Sequence, residues 1–192
     1  SLSRTLEGFF EYTHSVTEYS GDTDDFEIYD PAIGFVWQTG PASELSAQAG
    51  YYIRNQDKGD DDSSFWVAAG FEKHLKRGSL SLRGENGYTE AYFGSEALGF
   101  GKYYQFSTQG TYAITRNLTG NLSFTYRDTE YEDLQNQRDD QAYAFRTGLD
   151  YKLASWLESG LNYAFRKVES SIPGNEYEEN RVILMFTASP SR

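Results

Sequence analysis

The sequence predicts an all-β chain: an antiparallel up-and-down transmembrane β-barrel of about ten strands. Three observations carry that expectation. Stretches of roughly ten to fifteen residues alternate apolar and polar side chains from end to end, the period of strands with two unlike faces. Their connections are by turns very short and long, and the long ones are acidic. No run of roughly 18 or more apolar residues occurs, so no helix spans a membrane. Long loops at one end and trimmed turns at the other fit an outer-membrane barrel, whose exterior tolerates loops while its periplasmic end stays short.

The elements follow in order. Strand one is read at residues 4–18, with Leu6, Gly8, Phe10, Tyr12 and Val16 against Glu7, Glu11, Thr13 and Ser15. After the loop at 20–26, strand two (27–39) presents Tyr29, Ile33, Phe35 and Trp37, and turns at 39–42. Strand three (43–55) sets Leu45, Ala47, Ala49, Tyr51 and Ile53 against Glu44, Ser46, Gln48 and Arg54. An acidic loop at 57–63 leads to strand four (64–75), with Phe65, Val67, Ala69 and Phe71 opposite Glu72 and His74. A turn at 76–78 precedes strand five (79–91), where Leu80, Leu82 and Tyr88 alternate with Ser81, Arg83 and Glu85. Residues 92–101, which contain glycine, are expected to form a long connection.

Strand six (102–115) offers Tyr104, Phe106, Tyr112 and Ile114, then turns into strand seven (117–130) with Leu118, Leu122, Phe124 and Tyr126. The loop at 131–141 leads to strand eight (141–153), with Tyr143, Phe145, Leu149 and Tyr151. Strand nine (156–168) carries Leu157, Leu161, Tyr163 and Phe165. The loop at 169–179 precedes strand ten (178–189), with Val182, Leu184 and Phe186. Tight turns fall after even strands and long connections after odd ones, so both termini are expected on the short-turn, periplasmic side. The 192 residues make one transmembrane domain, and a first strand starting almost at residue 1 leaves open that N-terminal residues are lacking. No signal peptide is visible, so an exported protein is represented by its mature or trimmed chain.

Composition narrows the function classes. Aromatic residues make up 17% of the chain, with 16 Tyr, 13 Phe and 3 Trp, enough for two interfacial belts. The expected belts are Trp37, Trp156, Tyr112 and Tyr151 near the turns, and Tyr12, Phe65, Tyr88, Tyr126 and Tyr143 toward the loops. Cysteine is absent, which removes disulfides, thiolate metal sites and thiol catalysis. A net charge of -12 argues against a nucleic-acid partner, which needs basic surface.

Alternation alone does not say which face points inward, and a soluble lipocalin-like barrel would enclose the apolar one. The polar face decides. It carries the lumen-lining candidates Glu7, Glu11, Arg54, Glu72, His74, Arg83, Glu85, Arg127, Arg146, Asp150, Lys152, Glu158, Arg166 and Arg181. Acidic and basic members are close to balanced, as in an ion-paired interior, while the apolar faces are too aromatic to fit inside ten strands. Slipping strand five by one residue would put Arg83 into lipid, at a cost of roughly 2–4 kcal/mol near the midplane.

Several segments carry a resemblance. Residues 37–57, 112–133, 151–170 and 177–189 resemble the outer-membrane β-barrel porins found with exopolysaccharide synthesis and export systems. The final strand opens with the Tyr-x-x-Asn-Arg pattern of that family at Tyr177, Asn180 and Arg181. The resemblance covers most of residues 30–190. Its members are usually longer, so it implies a compact relative or a piece of a larger barrel. It implies transport of envelope polysaccharide and supplies no functional residues to carry over.

Catalysis is weighed and set aside. Glu72 and His74 share a face, but at the turn end, whereas barrel proteases work at the exterior end. His14 and Ser15 are sequence neighbours on opposite faces of a strand, so they cannot readily pair as in a lipid-A deacylase. The acidic clusters at Asp22, Asp24 and Asp25, at Asp57, Asp60, Asp61 and Asp62, and at Glu130, Glu132, Asp133, Asp139 and Asp140 fit no EF-hand spacing. The sequence thus predicts no enzyme, no cofactor and no metal. It predicts a barrel assisting passage of polysaccharide or small solutes, as a narrow channel or scaffold, because even eight strands are filled by side chains. Partners would be outer-membrane lipid, lipopolysaccharide and other components of an envelope secretion system. The alternative is a surface-binding barrel whose acidic loops contact a partner or divalent cations; an outer-membrane hydrolase comes third.

Overall fold

Alternating aromatic, aliphatic and threonine residues favour the pleated strand, where each side chain packs against same-face neighbours on the flanking strands. A computed structural model describes residues 5–18, 25–56, 61–93, 96–132 and 138–189, with 90–93, 96–100 and 132 described by backbone alone. It contains ten strands: β1 Leu6–Thr17, β2 Phe26–Gly40, β3 Ser43–Gln56, β4 Asp62–Leu75, β5 Gly78–Phe93, β6 Glu96–Ala113, β7 Leu118–Glu132, β8 Arg138–Ala154, β9 Leu157–Ser170 and β10 Tyr177–Ala188. They form one antiparallel sheet in sequence order, every neighbour joined as a hairpin.

The short turns lie where the sequence puts them, between β2 and β3, β4 and β5, β6 and β7, and β8 and β9. The third long connection does not. β5 and β6 stay paired through Tyr92↔Ala97 and Phe93↔Glu96, so the expected loop over 92–101 is mostly ladder. Glycine in that stretch suggested a loop, but glycine is admissible in a strand where a neighbouring ring covers it. The β7–β8 ladder likewise reaches Tyr131↔Arg138, beyond the boundary expected at residue 130.

Two further features depart from a regular closed cylinder. Among the described residues β1 and β10 do not pair, so the ten strands form an open sheet with two free edges. Both edge strands are accordingly exposed on their two faces. The second feature is a seam. β4 pairs with β5 only from Val67↔Asn86 down to Leu75↔Gly78, although β5 pairs with β6 far above that point. Asn86 closes the seam with its side chain: its Oδ1 accepts the Val67 amide at 2.9 Å, and its Nδ2 donates to the Phe65 carbonyl at 3.3 Å.

The apolar face points to the surroundings. Phe65 is 73% exposed and Val182 69%, and Ile33, Val67, Tyr104, Leu122, Leu149, Leu161 and Leu184 share that face. The polar face is concave, since its side chains reach across non-adjacent strands: Gln48 on β3 donates to Glu11 on β1 at 2.9 Å. The small buried cluster also lies on the concave side. Phe26, Ile28 and Tyr52 pack there against Trp66 and Tyr88.

Candidate functional site

The candidate site is the concave polar face. In a strand, residues i and i+2 stand side by side on one face, about 7 Å apart along the chain. The sequence uses that spacing repeatedly to neutralise charge. Arg83 Nε meets Glu85 Oε2 at 2.6 Å, Arg138 meets Asp140 at 2.6 Å, and Arg181 meets Glu179. His74 Nε2 lies 3.2 Å from Glu72 Oε1 in the same way.

All fourteen candidates from the sequence fall on this face by register. Glu7 and Glu11 stand there on β1, Arg54 on β3, Glu72 and His74 on β4, and Arg83 and Glu85 on β5. Arg127 on β7, Arg146, Asp150 and Lys152 on β8, Glu158 and Arg166 on β9, and Arg181 on β10 continue it. They do not converge on one point; they spread over the whole width of the sheet.

One constellation was missed in the sequence. Asp30 on β2, only 9% exposed, accepts Trp66 Nε1 at 2.7 Å and the Tyr88 hydroxyl at 2.9 Å. Tyr88 lies on β5, three strands from Asp30, a span of about 14 Å on a flat sheet and beyond the reach of the two side chains. The seam supplies the missing distance. Above Asn86 the β5–β6 hairpin separates from β4 and leans over the concave face. Tyr88 thus packs on Tyr52, with ring centroids 4.5 Å apart. Lys102, opposite Tyr88 in the ladder, reaches Asp62 at 3.2 Å. Alternation had put Tyr88 in the outward loop-side belt; the leaning hairpin carries it inward. The other belt residues Trp37, Tyr112, Tyr151, Trp156, Tyr12 and Phe65 are exposed, and the Tyr126 and Tyr143 rings meet in a tilted pair on the outer face, centroids 5.0 Å apart.

Glycine supports the arrangement. A Cβ at Gly50 would fall 2.4 Å from the Trp66 indole, and one at Gly34 2.5 Å from the Phe9 ring. In both cases the aromatic ring lies over the glycine directly opposite it in the ladder. Under the leaning hairpin remains a cavity of about 260 Å³, lined by Glu11, Asp30, Gln48, Trp66, Arg83 and Tyr103 among others.

A second cavity, of about 290 Å³, lies on the same face over β6–β9 and contains Arg127, Arg146 and Arg166. Arg127 stacks 3.9 Å from the Tyr103 ring centroid and donates to Thr129 Oγ1 at 3.2 Å. Arg166 lies 5.4 Å from the Tyr177 ring centroid.

The catalytic alternatives gain no geometry. His14 stacks on Tyr29 at 4.6 Å with Glu27 at 3.8 Å, on the outer face and away from Ser15, and His74 lies against its neighbour Glu72. Among the described residues no group of three His, Cys, Asp or Glu side chains could hold a metal. Of the acidic clusters, Asp22, Asp24, Asp57, Asp60 and Asp133 lie outside the described residues, while Asp62 and Asp140 are engaged by Lys102 and Arg138.

Comparison with known proteins agrees with the geometry. Residues 101–189, which run from within β6 to the end of β10, match a family described as Putative beta-barrel porin 2. No curated protein matches. Among solved structures, the outer membrane channel DcaP of Acinetobacter baumannii superposes with a TM-score of 0.71 at 16% identity, covering 97% of this chain and 59% of that one. This chain therefore spans less than two thirds of that channel's length. In fold the chain is porin-like: an antiparallel ten-stranded sheet similar to part of an outer-membrane channel.

Proposed function

We propose that the chain forms channel wall in a Gram-negative outer membrane, with the apolar face against lipid and the fourteen polar candidates lining the lumen. The observation that carries this reading is the segregation of faces. Large apolar side chains are exposed along one face, while carboxylates and guanidinia pair along the concave other. Water would not tolerate the first, and lipid would not tolerate the second.

Lipid cannot hydrogen-bond the free rows of β1 and β10, so in the membrane these edges take up further strands and the lumen is wider than ten strands alone enclose. The leaning β5–β6 hairpin narrows that lumen on one side. Both termini lie at the short-turn, periplasmic end, and lipopolysaccharide surrounds the loop end. The cargo is hydrophilic. The likeness of four segments to exopolysaccharide-associated porins favours an envelope polysaccharide over unrelated small solutes, with the protein acting as a path and not as an enzyme.

Reconstitution into planar bilayers tests the reading. Discrete, voltage-stable conductance steps are expected, blocked from one side by a soluble polysaccharide. Silent bilayers from protein shown to be inserted would overturn it.

A further inference from the structure

We propose that Arg127, Arg146 and Arg166 form a binding site for the carboxylate of a sugar acid, a substrate class that deepens the channel reading and rests on it. On this face Arg83, Arg138 and Arg181 each have a carboxylate two residues away, in Glu85, Asp140 and Glu179. Arg127, Arg146 and Arg166 do not. The positions two away are Thr125 and Thr129, Ala144 and Gly148, and Ala164 and Val168. Their cross-strand partners are no more acidic: Gln105 and Ala142 for Arg127, Ser123 and Ala164 for Arg146, and Ala144 for Arg166. Glu179, opposite Arg166 on β10, is engaged by Arg181. Among the described residues none of the three guanidinia is ion-paired.

Three like charges on adjacent strands repel, so an arrangement that withholds their counterions favours an anion arriving from outside. The alanines opposite them leave the space open, and the guanidinium fork matches a planar carboxylate with two parallel hydrogen bonds. Tyr103 beneath Arg127 and Tyr177 beside Arg166 hold two of the forks by stacking. The remaining lining, Gln105, Ser123 and Thr125, offers amide and hydroxyl groups suited to a polyol. A hydroxyl-rich carboxylate satisfies both sets.

The test is equilibrium binding of galacturonate, tetragalacturonate, galactose and glucose 6-phosphate to the full chain in detergent micelles, alongside bilayer recordings in a KCl gradient. Galacturonate is expected to bind and galactose not. Arg146→Gln should weaken galacturonate by roughly tenfold or more, the loss of a charge-assisted bond, while Arg146→Lys loses less. Lys152→Gln, at the turn end of β8 and six residues from Arg146, should change binding less than about threefold. In the recordings, Arg127→Gln/Arg146→Gln/Arg166→Gln should keep conductance and lose anion preference. Tighter binding of the tetramer than the monomer assigns the site to a polymer, and equal binding per carboxylate assigns it to a small solute; either supports the site. Glucose 6-phosphate bound more tightly than galacturonate, or galacturonate binding unchanged in the triple variant, would overturn it. Silent bilayers with intact galacturonate binding would sink the channel reading and leave the site standing.

Discussion

Asp30 shows how much one side chain arranges. Its two oxygens take the Trp66 indole and the Tyr88 hydroxyl, tying β2 to β4 and to the leaning hairpin at once. Tyr88→Phe removes one of these bonds while keeping the ring, and should destabilise the folded chain by about 1–3 kcal/mol, read as a lower urea midpoint in detergent. Glycine gives a sharper contrast. Gly50→Ala would drive a methyl into the Trp66 ring and should cost about 1–3 kcal/mol. Gly84→Ala meets nothing within 4 Å and should be close to neutral in the same unfolding series. None of this was legible in the sequence. Asp30 lies one residue before Pro31 within β2, and its donors are 36 and 58 residues away.

At the scale of elements, the alternation of faces did reach the structure. The even residues of β7 read outward and the odd inward in sequence and register alike, because a period of two admits no gradual drift. Leu122→Arg should therefore cost roughly 2–4 kcal/mol if that face meets lipid near the midplane, while Ser123→Arg costs little. Comparing folded fractions of the two variants after refolding into vesicles measures the difference. The β5–β6 hairpin was less legible. Its strands were recognisable, but its length was obscured by glycines that look like loop residues until the facing strand is known. Its lean depends on a seam closed by Asn86, a residue with no distinguishing local signal. Releasing the hairpin with Tyr88→Ala should widen the proposed lumen and raise single-channel conductance. An unchanged conductance would place the narrowest point elsewhere.

For the whole molecule, strand count, order and the four tight turns after even strands were legible, and closure was not. Hydrophobic pattern fixes which way each side chain points, but says nothing of where a sheet ends. The free edges of β1 and β10, and the longer channel that this sheet matches over 59% of its length, fit a wall completed by more strands. Charge is also distributed at this scale. Ion pairs at spacing i, i+2 neutralise Arg83, Arg138 and Arg181, and the three arginines of β7–β9 stand apart from that scheme.

The most direct test exploits the absence of native cysteine. Single cysteines placed at residues 122 to 126 in lipid vesicles would be treated with a charged, water-soluble maleimide, and separately probed with brominated lipid through an attached fluorophore. Positions 123 and 125 should react at least roughly tenfold faster with the maleimide, and 122, 124 and 126 should be quenched by lipid. Uniform reactivity along the strand, or quenching at 123 and 125, would mean that the greasy face does not meet the membrane.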